Sequence, residues 1–317
     1  MAWAIGFDLG GTNMRCGLVS DQGELLVHRT RPTLAHRGPE AVIADIAALI
    51  REVLQEGGRR VAGVGMASPG PLNPKTGVVL RTPNLRWNNV PLKDKLEQAL
   101  GLPTTVDNDS QMTAYGEWWK GAAQGYSHVL CLTLGTGVGG GVLINGRIYH
   151  GYSGSAGHIG HLIVEPGGAR CGCGAVGCLE AYASATAIAR RARERLAEGR
   201  KSVIIRCAGN LESLTSYNVY QAALDGDTLA LEIFAEVGHY LALALTSAIP
   251  LFDPQVVVIS GQAAEAGDFI FKPLRKRLGE LLKLRPAVPV LPSTLGDDAG
   301  IIGAAGVVFL GGRPSID

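Results

Sequence analysis

The chain of 317 residues carries a net charge of +1, with 29 Lys and Arg against 28 Asp and Glu. This near-neutral balance, without a basic run, argues against nucleic acid or an acidic membrane surface as a partner. Apolar residues make up 46% of the chain, ample for a packed core, and the length suggests two domains or one large one. The opening MAWAIGFDLGG lacks the basic and long apolar segments of a signal peptide, and YLALALTSAIPLF is too short to span a bilayer and is interrupted by Pro250. A cytoplasmic protein with reduced thiols is expected. Glycine is the outlier: its 44 residues are clustered, marking special backbone positions.

In chain order, AIGFD (4–8), MRCGLVS and ELLVHRT read as three strands joined by GGT and DQG turns. The 3.6-residue spacing of Val42, Ile46, Leu49, Ile50, Val53 and Leu54 predicts a helix over 40–56, ended by Gly57-Gly58. VAGVGMAS (61–68) is a buried strand, PGPLNPKTG a loop, PLKDKLEQALG a short helix, TTVDND a strand and SQMTAYGEWWKGA a helix. HVLCLTLGTGVGGGVLINGRIYHG (128–151) then repeats the opening order of strand, glycine turn, strand, turn, strand. Two such halves predict a duplicated α/β architecture with a cleft between them. Helices follow near 184–198, 218–225, 227–249 and 268–284, with strands at 255–262 and VPVLPS and a last helix from Asp297-Asp298.

GTGVGG fits G-x-G-x-x-G through Gly135, Gly137 and Gly140, but a hairpin follows where a dinucleotide site needs a helix. No Gly-Lys pair exists, so there is no P-loop. A β-turn grip on phosphate remains, in which glycine lets backbone N–H groups approach an anion. DLGGTN supplies one turn (Gly10, Gly11, Thr12, Asn13) and LGTGVGG the other (Gly135, Thr136, Gly137). Asp8 ends the first strand, placed to hold Mg²⁺. Either turn alone is equally an ordinary hairpin; the pair, with an acid beside one, favours a polyphosphate.

DLGGTN, GTGVGGG, CGCGAVGCLE and GDDAGIIGAA together resemble the ROK family of sugar kinases, within the actin-like ATPase superfamily. The resemblance runs in order along essentially the whole chain. It implies a two-lobed, ribonuclease H-like α/β fold, divided here into a small domain of 1–120 plus 300–317 and a large one of 121–299 that carries the cysteine loop.

Cys171, Cys173 and Cys178 form C-x-C-x4-C, and His161 lies ten residues upstream. Four such ligands suit a closed, structural Zn²⁺ site, and disulfide pairing would leave an odd thiol. The family places its zinc on these positions. Cys16, Cys131 and Cys207 sit in apolar surroundings and read as packing residues. His161 can present its second ring nitrogen to a ligand, and Glu180 follows the last cysteine by two. By resemblance both contact the sugar; on its own, Glu180 is equally a helix N-terminal acid. The family commonly has Glu-x-Gly-His where this chain has AGHIGH, which puts His158 in the place of a sugar-binding Glu. Neutral His donates as well as accepts, so this change bears on which hydroxyls are bound.

Asp107-Asn108-Asp109 closes a strand at a helix start. Phosphoryl transfer from ATP to a hydroxyl needs a carboxylate that accepts the hydroxyl proton. The resemblance puts that base at Asp109 and sugar binding at Asn108 and Asp109, while Asp109 or Ser110 is also a candidate helix cap. It further suggests Asn84 as a hydroxyl contact, equally readable as a turn Asn, and Gly261 beside the nucleoside.

The sequence thus predicts an ATP- and Mg²⁺-dependent kinase of the hexose 6-hydroxyl, glucose first, acting in glycolysis. Alternatives are a kinase for N-acetylmannosamine, mannose or fructose, and a non-catalytic sugar-sensing protein. The family's repressors carry an extra N-terminal DNA-binding segment for which no room is expected before Gly10. Partners are a sugar and a nucleotide, with no nucleic acid or membrane; the resemblance implies a homodimer or homotetramer.

Overall fold

The computed structural model describes residues 1–309; residues 310–317, which the sequence reading assigns to the smaller domain, lie outside the described residues. The chain opens with β1 (Trp3–Leu9), β2 (Asn13–Ser20) and β3 (Leu25–Pro32), followed by α1 (Pro39–Gly57) and β4 (Val64–Ser68). Three short strands, β5 (Leu72–Asn73), β6 (Val78–Thr82) and β7 (Trp87–Pro91), form an antiparallel sheet of their own, partly in a stretch that reads as a loop. Next come α2 (Leu92–Leu100), β8 (Thr104–Asn108), α3 (Asp109–Lys120), β9 (Val129–Leu134), β10 (Val138–Ile144) and β11 (Arg147–Ile148). The remainder is α4 (Glu180–Ala183), α5 (Ala185–Ala197), α6 (Ile204–Ala208), α7 (Ser216–Leu224), α8 (Thr228–Phe252), β12 (Val256–Ser260), α9 (Asp268–Leu281), β13 (Val290–Pro292) and α10 (Ala299–Phe309).

Two compact units result. One comprises Met1–Cys131, Gly141–Gly157 and the chain from Thr294; the other comprises Leu132–Gly140 and His158–Ser293. The first unit is built on the sheet β3-β2-β1-β4-β8, antiparallel at β3-β2-β1 and parallel from β1 to β8. Successive strand residues face opposite sides of a sheet. Ile5, Phe7 and Leu9 of β1 accordingly join a core with Val42, Ile46, Leu49, Ile50 and Val53 of α1. Ala4 and Val19 on the other face pack against Ile301 and Ala305 of α10. That approach is close: a Cβ on Gly65 would lie 1.7 Å from the Ala304 carbonyl oxygen, and one on Gly6 would lie 2.0 Å from that of Ile301. Gly6 on β1 and Gly65 on β4 are what permit it.

The second five-stranded sheet has the order β11-β10-β9-β12-β13. α8 alone among the described helices is long and apolar enough to cross a membrane, but Leu229, Ile233, Val237, Leu241 and Leu245 are buried in the protein, so it is a core helix. It runs through Pro250 to Phe252, beyond the end expected at 249. Pro250 falls in the last turn, and the helix stops at Asp253, whose left-handed backbone donates its N–H to the Ile249 carbonyl.

Candidate active site

In the first unit the DLGGTN turn joins β1 to β2, and the Gly10 N–H donates to the Asn13 carbonyl at 2.9 Å. Thr33, fully buried just after β3, holds the turn from behind. Its hydroxyl donates to the Gly10 carbonyl at 2.7 Å and its N–H to the Thr12 carbonyl at 2.8 Å. The C=O and N–H of a trans peptide point in opposite directions, so pinning the Gly10 carbonyl turns the Gly11 N–H away from the protein. Asn84 rests against this turn: a Cβ on Gly11 would meet the Asn84 Cβ at 3.0 Å.

Asp8, at the end of β1, pairs with Arg15 of β2 at 3.5 Å, and Arg15 reaches Asp297 at 2.7 Å. Burial, followed by the charge of Asp109, pushes the Asp8 carboxyl up to about 6; Arg15 opposes the shift and Asp297 adds to it. Burial likewise raises Asp109, against hydrogen bonds from Ser110 and Asn108. Mg²⁺ is held by one or two carboxylates together with substrate phosphates and water. The donor set fits it: Asp8, Asp109 and Asp297 bring more negative charge together than Arg15 balances.

Asp109 is the first residue of α3, and its Oδ1 accepts from the Ser110 N–H at 2.8 Å. The helix cap is neither Asp109 nor Ser110 but Asn108, whose extended backbone lets Oδ1 accept from the N–H groups of Ser110 and Gln111. Two neighbours brace this junction. Asp107 accepts from His150 Nε2 at 2.7 Å through one oxygen and from the Asn108 N–H at 2.7 Å through the other. Gln111 donates to the carbonyls of Tyr149 and Ala156.

The second unit holds the second glycine turn, between β9 and β10. The Gly135 N–H donates to the Gly137 carbonyl at 3.0 Å. Its anchoring parallels that of the first turn: the Gly135 carbonyl accepts from the Ala185 N–H at 2.8 Å, and the Thr136 carbonyl from the Thr186 hydroxyl at 2.8 Å. The N–H groups of Thr136 and Gly137 therefore face away from α5. Gly261, at φ 91° after β12, lies on the backbone of Leu134, where a Cβ would come within 2.6 Å of the carbonyl oxygen. A cavity of about 320 Å³ adjoins it, walled by Tyr217, Tyr220, Phe234, Gln262 and Glu265.

His161, Cys171, Cys173 and Cys178 converge, their ligand atoms all within 4.8 Å of one another. Cys173 Sγ lies 3.8 Å from Cys178 Sγ, and Cys171 Sγ 3.8 Å from His161 Nδ1. Tetrahedral bonds of 2.3 Å to sulfur subtend an edge of about 3.8 Å, so the donors fit Zn²⁺. Nδ1 would then be the ligand nitrogen of His161, whose side chain is exposed. The loop is shaped by its own backbone as well: Cys171 N–H donates to Ala175, and Val164 N–H to Gly177, whose φ of 85° suits only glycine. His158 is exposed, its ring 6.3 Å from that of His161. Glu180, the first residue of α4, places Oε1 3.4 Å from Cys171 Sγ and Oε2 3.0 Å from the Val138 N–H.

Each predicted residue thus falls into one of two groups. Asp8, Gly10–Asn13, Asn84, Asn108 and Asp109 lie in the first unit; Gly135–Gly137, His158, His161, the cysteines, Glu180 and Gly261 lie in the second. The ROK family model matches residues 4–309. The chain belongs to the ROK family. This ROK protein is 41% identical over 307 residues to a glucokinase of Thermotoga maritima, covering 96% of both chains. A ROK family glucokinase of Streptomyces griseus, solved in complex with glucose and AMPPNP, superposes with a TM-score of 0.88 at 35% identity, covering 96% of this chain and 99% of that one. A ROK hexokinase of Thermus thermophilus gives a TM-score of 0.83 at 33% identity, covering 98% of each. The fold is the actin-like ATPase fold of the ROK glucokinases.

Sequence reasoning passed over the anchors of this ROK protein's turns, Thr33 and Thr186, and over Arg15 and the Tyr217–Tyr220 wall. Only the tyrosines carried a signal, an aromatic pair three apart on one helix face.

Proposed function

We propose that this ROK protein is an ATP-dependent glucokinase that transfers the terminal phosphoryl group of ATP to the 6-hydroxyl of glucose. The observation that carries the role assignment is Asp109: a desolvated carboxylate at the end of β8, with proton affinity raised above the ordinary carboxylate range. Such a group accepts a hydroxyl proton more readily than a solvated one. Near-full-length similarity to glucokinases supports the substrate class.

Asp109 would take the 6-hydroxyl proton as the oxygen attacks. Asn108, its Oδ1 committed to the cap, would donate from Nδ2 to a sugar hydroxyl, and Asn84, His158, His161 and Glu180 would bind the others. The outward N–H of Gly11 and those of Thr136 and Gly137 would receive phosphate oxygens. Asp8 would hold Mg²⁺, directly or through water; the ion supplies charge that offsets the phosphates. The cavity beside Gly261 would take the nucleoside, its base against Tyr217 and Tyr220. Zn²⁺ on His161, Cys171, Cys173 and Cys178 would fix the separation of His161 and Glu180. A cytoplasmic homodimer or homotetramer working in glycolysis completes the reading.

ADP release with Mg·ATP across glucose, mannose, fructose, N-acetylmannosamine and a no-sugar control tests it. Glucose is expected to give the highest kcat/KM. Turnover centred on N-acetylmannosamine would replace the substrate and point to His158; no sugar-dependent turnover would overturn the kinase reading.

A further inference from the structure

In this structure Glu180 reaches the second glycine turn as well as the cysteine cluster. Its Oε2 accepts from the Val138 N–H at 3.0 Å, and Val138 is the residue on which the second glycine turn becomes β10. The turn is shaped around that carboxylate: a Cβ on Gly137 would lie 2.4 Å from Glu180 Oε2. Gly137 is not among the residues of positive φ, so the turn conformation alone does not demand glycine there. The opposite side of Val138 is equally confined. A Cβ on Gly160, in the AGHIGH segment, would lie 2.0 Å from the Val138 carbonyl oxygen. Val138 is thus held at its N–H by Glu180, and its C=O is confined by the segment that carries His158 and His161.

We propose that Glu180 is a positioning residue for the second glycine turn, so that sugar binding and nucleotide binding are coupled through the Glu180–Val138 hydrogen bond. This rests on the kinase reading above. A sugar that fixes Glu180 fixes the turn. By thermodynamic reciprocity, a nucleotide that fixes the turn strengthens sugar binding by the same factor. Gly137 is then a glycine kept for Glu180 rather than for phosphate.

Calorimetric binding of glucose without nucleotide, and of a non-hydrolysable ATP analogue without sugar, tests this on the full chain. Gly137→Ala inserts a methyl group where Glu180 Oε2 sits, and is expected to weaken glucose binding about tenfold although it lies on the nucleotide turn. Glu180→Ala is expected to weaken binding of the analogue several-fold although it removes a sugar contact. In the double variant the methyl has no carboxylate to strike, so the analogue should bind no worse than to Glu180→Ala alone, a non-additivity expected of touching residues. Glucose affinity of Gly137→Ala within twofold of wild type, or analogue affinity unchanged in Glu180→Ala, would overturn the coupling while leaving the kinase reading intact. A wild type that binds neither ligand would overturn both. Should Gly137→Ala fail to fold, by loss of its circular dichroism, analogue binding to Glu180→Ala decides alone.

Discussion

The two glycine turns share a sequence pattern and a manner of anchoring, and differ in what stands behind them. In each, two carbonyls are tied back by one threonine hydroxyl and one backbone N–H: Thr33 supplies both at the first turn, Thr186 and Ala185 at the second. Behind the first stands an ionic group, Asp8, Arg15 and Asp297. Behind the second stands Glu180, one oxygen on the turn and the other against the cysteine cluster. The first turn is equipped to manage charge, the second to transmit position. A shared glycine signature therefore says little about the task of each turn; the residues that touch it from elsewhere decide that.

The largest expected contrast comes from removing charge at the first turn. Asp8→Asn should lower kcat/KM at least about 100-fold, as loss of a metal's charge stabilisation costs several kcal/mol; steady-state kinetics at saturating Mg²⁺ checks this. The two acids also have a signature in pH. A carboxylate base works deprotonated, so burial of Asp109 puts the acid limb of kcat/KM above where a solvated Asp would put it. The charge of Asp109 is one of the causes that push Asp8 up to about 6, so in Asp109→Asn the Asp8 carboxyl should titrate lower, followed by carboxyl NMR. An unmoved Asp8 would show that the two acids do not interact.

At the second turn, Cys178→Ser should empty the metal site and raise the glucose KM at least about tenfold, since even residues behind metal ligands matter by 10–100-fold. Zinc content by mass spectrometry of the native protein and glucose KM are the readouts; full zinc content in the variant would break the assigned ligand set.

Smaller effects compare the anchors. Thr33→Val leaves the Gly10 carbonyl without its partner in a buried place, which costs about 1–3 kcal/mol; Thr186 donates from an exposed position where water can replace it, so Thr186→Val should cost under about 1 kcal/mol. Thermal denaturation checks the order, and equal losses would contradict the burial argument. Smallest of all, His158→Glu should shift the ratio of kcat/KM between glucose and N-acetylmannosamine about two- to tenfold, the worth of one exposed hydrogen bond.

Much of this was legible in the sequence because the signals are local. The apolar spacing of α1, the hairpins around both glycine turns and the close-packed α10 all follow from periodicity and small residues. The C-x-C-x4-C spacing with His161 likewise announced the converging donors. What escaped was set by distant partners. Thr33 lies some twenty residues from the turn it holds, and Thr186 some fifty, with nothing in their own neighbourhood to mark them. The β5–β7 sheet hid in a run of Pro, Gly and Asn because its strands are two to five residues long. Asn108 rather than its neighbours caps α3 because the backbone is still extended there, which depends on where β8 ends.

The most direct measurement is single-turnover phosphoryl transfer from Mg·ATP to glucose by wild type and by Asp109→Asn, alongside calorimetric glucose affinity. The account predicts glucose 6-phosphate from wild type, and a rate at least about 100-fold lower in Asp109→Asn with glucose affinity within a few-fold, because general-base catalysis contributes about 10²–10⁴. Retention of more than about a tenth of the rate by Asp109→Asn would contradict it.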